Sequence, residues 1–130
     1  MSCRLNHDCI RDILLFMEDK MGYKNSFITM EQIIDGLKDK YDEDCIDYHC
    51  RLMSRTGFFA SKFYSDGMGR FSGFSWEGHE YLDNIRDQEA WTIVKNATKD
   101  LNSISLDVIK ELAKEVIMSL GKKGLKKLLE

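Results

Sequence analysis

The four residues Thr29-Met30-Glu31-Gln32 constrain this chain more than any other stretch, because they say where a helix must begin. A threonine followed three residues later by glutamine is a capping box, in which the two side chains satisfy orphan amides at the helix start. Met30, Ile33, Ile34 and Leu37 then recur at helical spacing. The pattern breaks at Lys40-Tyr41, and Asp42 opens another helix after only a few residues. Two short amphipathic helices in such close succession predict a helix-turn-helix. The third helix is expected from Asp42 to about Arg55, with Ile46, Cys50 and Met53 buried. Ser26-Phe27-Ile28-Thr29 reads as a short strand ahead of the capping box. Gly57 stops the third helix, and Phe58–Tyr64 and Arg70–Phe74 read as strands joined by Ser65-Asp66-Gly67-Met68-Gly69. This hairpin is the expected wing.

The flanking segments read as helices. Asn6 or Asp8 can cap a first helix whose core stripe is Ile10, Ile13, Leu14, Met17 and Met21, ending at Gly22. Ser75 can cap a fourth, from Trp76 to about Arg86, with Leu82 and Ile85 inward. The fifth places Ala90, Ile93, Val94, Ala97 and Leu101 on one stripe. The sixth, from Leu106 to about Leu120, is apolar over a wide arc through Ile109, Leu112, Ala113, Val116 and Ile117. Such a helix needs partners on more than one side: the fifth helix is one, and the other is the winged domain or a second subunit, with a homodimer through Leu106 to Leu120 expected. Gly121 and Gly124 are expected to loosen its end. The fold class is therefore α+β and mainly helical: a winged helix-turn-helix over residues 1–87, then a C-terminal helical extension over 88–130.

A chain of 130 residues with 43% hydrophobic side chains can bury a core of its own. No apolar run approaches the ~20 residues that span a bilayer, so no membrane partner is expected. The N-terminal residues lack the apolar segment of a signal peptide, and a cytoplasmic protein is expected. Net charge is −3, but Lys122, Lys123, Lys126 and Lys127 against Glu130 put +3 on the last ten residues. Removing these from the chain's 19 basic and 22 acidic side chains leaves the rest at −6. Any anion-binding patch must then be local, because nonspecific nucleic-acid binding rests on phosphate neutralisation.

Little in the sequence suggests catalysis. His79-Glu80 lacks the second histidine of a zinc-protease motif, no serine sits in a nucleophile elbow, and no enzyme is read here. Cys3, Cys9, Cys45 and Cys50 form no disulfide framework and are expected to stay reduced. Cys45 and His49 would share a helix face, but without a Cys-x-x-Cys pair the reading is buried thiols and a core-edge histidine, with neither metal nor cofactor. Gly67, Gly69 and Gly73 belong to a hairpin rather than a phosphate loop. Duplex DNA is the leading partner: Tyr48, Arg51 and Arg55 on the third helix would reach bases or phosphates, and Lys62 and Arg70 on the wing would hold the flanking backbone. Asp42, Glu43, Asp44 and Asp47 oppose this by repelling phosphates. The alternative is therefore a protein-binding module that docks a host or phage protein through the same acidic face.

Leu5-Asn6-His7-Asp8-Cys9-Ile10-Arg11-Asp12-Ile13-Leu14-Leu15 resembles the opening of a family of small phage and prophage proteins classed as a domain of unknown function. Trp76-Glu77-Gly78-His79-Glu80-Tyr81-Leu82-Asp83-Asn84-Ile85-Arg86-Asp87 resembles its second hallmark, and Ile46-Asp47-Tyr48-His49 and Thr56-Gly57-Phe58 are similar to its middle. Phe74-Ser75 departs from an expected aliphatic residue and threonine. The resemblance implies a mobile-element origin, with gene regulation or countering of host defence as the setting; an inhibitor of a nucleic-acid enzyme is one form of the alternative. Because both hallmarks open helices, the first and fourth helices are expected to pack together. His7, Asp8, Arg11 or Asp12 would then meet His79, Glu80, Arg86 or Asp87 in a register-setting polar cluster.

Overall fold

The computed structural model describes residues 4–21, 27–97 and 104–129, with side chains through residue 121. Its elements are α1 (His7–Lys20), β1 (Phe27–Thr29), α2 (Met30–Leu37), α3 (Glu43–Met53), β2 (Phe59–Phe63), β3 (Gly69–Phe74), α4 (Trp76–Ile85), α5 (Gln88–Ala97) and α6 (Leu106–Leu129). The described chain is thus mixed α+β and mainly helical, with six helices and one three-stranded antiparallel sheet. It divides into two compact units, Met1–Leu82 and Asp83–Glu130.

In the first unit, local chemistry sets the helix starts. The Asn6 side chain accepts the Cys9 N–H and caps α1. At α2 the capping box is formed in both directions: Thr29 Oγ1 accepts the Gln32 N–H at 3.2 Å, and Gln32 Oε1 accepts the Thr29 N–H at 2.8 Å. Asp42 stands at the N-cap of α3 without a side-chain cap bond. That helix ends at Met53, two residues before Arg55, because Ser54, Arg55 and Thr56 turn back onto its last carbonyls. Gly57, at φ +80°, then carries the chain away in a conformation a Cβ disfavours.

β3 is the central strand, flanked by β1 and β2. The rows across the sheet are Phe27–Ser72–Ala60, Ile28–Phe71–Ser61 and Thr29–Arg70–Lys62, with a bulge between Phe59 and Ala60. Ile28 and Phe71 are buried, so their row faces the core and the other two face outward. α2 packs on the inner side of β1 and β3, while α1 packs on α2 and α3. Ile10, Ile13, Leu14 and Met17 of α1 meet Met30 and Ile33 of α2, Ile46 and Met53 of α3, and Phe59 and Phe71 in this core. Phe58 stacks on buried Tyr81 at 5.0 Å.

Four of the residues expected to cluster, Asp12, His79, Arg86 and Asp87, have contacts of their own. Asp12 accepts from Tyr41 Oη at 2.6 Å and lies 3.8 Å from Lys40 Nζ. His79 packs on Phe74, Arg86 pairs with Asp83, and Asp87 accepts the Ala90 N–H at the start of α5. Arg11 is buried. His49 is also fully buried: its Nε2 accepts the Asn6 N–H at 2.9 Å, so Nδ1 carries the hydrogen and donates to the Cys45 carbonyl at 2.7 Å. Cys9 and Cys50 are buried free thiols, and burial pushes Cys9 up to about 12. Cys45 is disulfide-bonded, which corrects the expectation that all four thiols stay reduced.

In the second unit α5 and α6 pack together around Ala90, Trp91, Val94, Ile109 and Ala113. Trp91 occupies the inward position, while Ile93 and Ala97 of the expected stripe are exposed; Leu101 lies outside the described residues. α6 runs past Gly121 to Leu129 rather than ending near Leu120. Its Val108 and Met118 are exposed. Among the described residues no helix is long and apolar enough to cross a membrane.

Candidate nucleic-acid interface

The five residues singled out for DNA contact fall into two groups. Tyr48 and Arg51 lie on α3, with Arg55 just past its end; Lys62 and Arg70 lie on the hairpin. Tyr48 is exposed, its ring edge-on to His49 at 5.2 Å. Arg51 is not free to reach outward. Its Nε donates to Asp47 one turn earlier, a guanidinium nitrogen donates to the Gly67 carbonyl in the hairpin turn, and the group lies 4.9 Å from the centre of the Phe63 ring. Phe63 in turn packs edge-on against buried Phe71, on the core side of the sheet. The arginine therefore ties the end of α3 to the inner side of the hairpin.

Lys62 and Arg70 face the other way. They are direct cross-strand partners in the outer row of the sheet. Arg70 stacks on Phe27 of β1, 3.7 Å from the ring centre, and Lys62 Nζ sits 5.5 Å from the ring centre of Tyr64. Both rings are partly exposed. Each cation thus rests on an aromatic face, whose quadrupole attracts positive charge without neutralising it. Phe27 and Tyr64 were not singled out in the sequence. Tyr64 stands one step past β2, which carries Lys62, and Phe27 opens β1, which carries no basic residue; only the register shows which rings meet which cations.

The pairing of the remaining charges sharpens this division. Lys20, Lys38, Lys40 and Arg51 each have a carboxylate partner. Arg55, Lys62 and Arg70 have none among the described residues. At the other end of α3, Asp42, Glu43 and Asp44 are all exposed. Placed at a helix N-terminus they are favoured by its dipole whatever else they do. No group of three or more His, Cys, Asp or Glu among the described residues is disposed to hold a metal ion.

The architecture and these surfaces define a small α+β protein with an exposed basic-aromatic sheet face and an acidic helix start. Residues 4–105 match the model of the family described as "Hypothetical protein (DUF2513)", and the chain belongs to that family. It is also similar to an uncharacterized protein of Haemophilus influenzae, 32% identical over 116 residues, which cover 86% of this chain and 93% of the relative. No solved structure matches the chain.

Proposed function

We propose that the first unit is a winged helix-turn-helix and that the protein is a phage or prophage regulatory or adaptor protein that binds duplex DNA. The order of helix, strand, two helices and hairpin supports the fold reading, as does the β1-β3-β2 antiparallel sheet. The mobile-element setting rests on the resemblance of the two hallmark segments. The observation that carries DNA binding is the placement of Arg55, Lys62 and Arg70, cations without a carboxylate partner among the described residues, at the end of α3 and on the hairpin. Arg51 serves this reading as a brace between α3 and the hairpin turn rather than as a contact. Fluorescence anisotropy with labelled random-sequence duplex DNA tests it. Affinity should fall steeply as salt rises, because each phosphate contact releases condensed counterions. Absence of binding at low salt overturns it.

A second reading, docking to a basic surface on a protein, is favoured by one observation: Asp42, Glu43 and Asp44 are exposed and have no cation partner among the described residues. The double variant Glu43→Gln, Asp44→Asn separates the two. It preserves DNA binding in the first reading and abolishes partner binding in the second. Dimerisation through α6 belongs to either reading, with Val108 and Met118 as the exposed apolar contacts. Light scattering on the protein and on Val108→Glu, Met118→Glu tests it, and a monomeric parent overturns it.

A further inference from the structure

We infer that the outer face of the sheet, centred on the Lys62–Arg70 pair and flanked by Phe27 and Tyr64, is the phosphate-backbone contact, and that it binds without α3 entering the major groove. The inference rests on the DNA-binding reading above and assigns its surface and mode.

Three observations carry it. First, two like charges stand directly opposite each other across a strand pair, an arrangement that costs stability in the free protein. A lysine on an edge strand can block edge-to-edge association, but Arg70 is on the central strand, where that role has no meaning. A polyanion lying across both strands turns the repulsion into attraction for both charges. Second, each cation is held against a ring, Arg70 on Phe27 and Lys62 on Tyr64, so less side-chain freedom is lost on binding. Third, the pair and α3 lie on opposite sides of the hairpin. Arg51 reaches the hairpin from α3 on the side of Phe63 and Phe71, whereas Lys62 and Arg70 occupy the outer row. A duplex seated on the outer face is separated from α3 by the thickness of the sheet, and from the carboxylates of Asp42, Glu43 and Asp44. The occupant is a phosphodiester backbone, recognised by charge and read without base contacts from α3.

Anisotropy titrations of several unrelated duplex sequences over a range of salt provide the test, using the parent, Lys62→Gln with Arg70→Gln, and Tyr48→Ala. Thermal melts of each variant serve as the control for folding. The hairpin double variant should weaken binding to every sequence alike and reduce the slope of log K against log salt by about 1.8, the contribution of two phosphates. Tyr48→Ala should leave affinity and slope unchanged. Phe27→Leu, which removes the ring under Arg70 and keeps the charge, should weaken binding with little change in slope. If the parent discriminates strongly between sequences and Tyr48→Ala removes that discrimination, α3 reads the groove; the inference then fails while DNA binding stands. An unchanged slope in the folded double variant also overturns it alone. No binding of the parent at low salt overturns the DNA-binding reading and the inference with it.

Discussion

Arg51 of α3 donates a hydrogen bond to the carbonyl oxygen of Gly67 in the β2–β3 turn, joining a helix to the tip of the hairpin that follows it. The bond is charge-assisted, and the same guanidinium packs on Phe63 and pairs with Asp47. Arg51→Ala is expected to lower stability by about 1–2 kcal/mol, a modest figure because the group is partly exposed and its ion pair is screened by solvent. Amide hydrogen exchange should locate the loss, speeding up at Gly67 and Met68 while α1 keeps its protection. Uniform acceleration across the unit would show that the brace is not local.

Gly67 itself holds φ +86°, where a Cβ is disfavoured even though the nearest atom to one, an Arg51 nitrogen, lies 3.7 Å away. Strain rather than crowding should therefore decide substitutions there. Gly67→Ala is expected to cost about 1–2 kcal/mol and Gly67→Asn less, since asparagine tolerates the left-handed region. Urea unfolding of the two variants gives the comparison, and equal midpoints would contradict it.

Gly78 and Gly36 are both helical glycines against neighbouring chain, yet they should respond differently to alanine. A Cβ on Gly78 would lie 2.2 Å from the Phe58 carbonyl oxygen, a backbone atom already accepting the Ser75 N–H. A Cβ on Gly36 would meet the far edge of the Phe16 ring, which can turn aside. Gly78→Ala is expected to cost about 2–4 kcal/mol. Gly36→Ala should cost less, because better helix propensity offsets the shift of the ring by up to about 1 kcal/mol. Denaturant midpoints that rank the other way would refute this.

His49 should make stability fall in mild acid. Burial holds its pKa below the ordinary 6.5, so the folded state keeps it neutral with Nε2 free to accept the Asn6 N–H. Below that ordinary value the unfolded chain binds a proton that the folded chain does not, so stability is full above it and declines as pH falls through and beneath it. Urea midpoints measured downward from neutral pH should show the decline for the parent and a weaker one for His49→Gln. Identical profiles would exclude His49 as the source.

Tyr41 links the end of the α2–α3 turn to α1 through its hydroxyl, which donates to Asp12. Its pKa is driven up, first by burial and then by that bond. Tyr41→Phe should cost about 1 kcal/mol, with Asp12 still near Lys40 and partly solvated. A loss several times larger, read from thermal unfolding, would mean that the ring moves as well.

The parts of this protein that could be read from the chain are those whose causes are local. Thr29 and Gln32 cap a helix wherever they occur in that order, Asn6 caps α1, and the glycine-rich turn between Phe63 and Gly69 makes a hairpin without help from distant residues. Periodicity likewise placed Ile10, Ile13, Leu14 and Met17 inside. Periodicity fails where two residues compete for one inward position, as Trp91 and Ile93 do, because the shape of the facing helix settles the choice. It does not say how deeply Arg11 and His49, polar residues on helices, become buried once the helices pack. The candidate interface divides in the same way. That Arg51, Lys62 and Arg70 are basic and lie on a helix and a hairpin is written in the sequence. That Arg51 turns inward to Gly67, while Lys62 and Arg70 stand together on the outer face over Tyr64 and Phe27, follows from strand register and from contacts between residues far apart in the chain, which only the folded structure specifies.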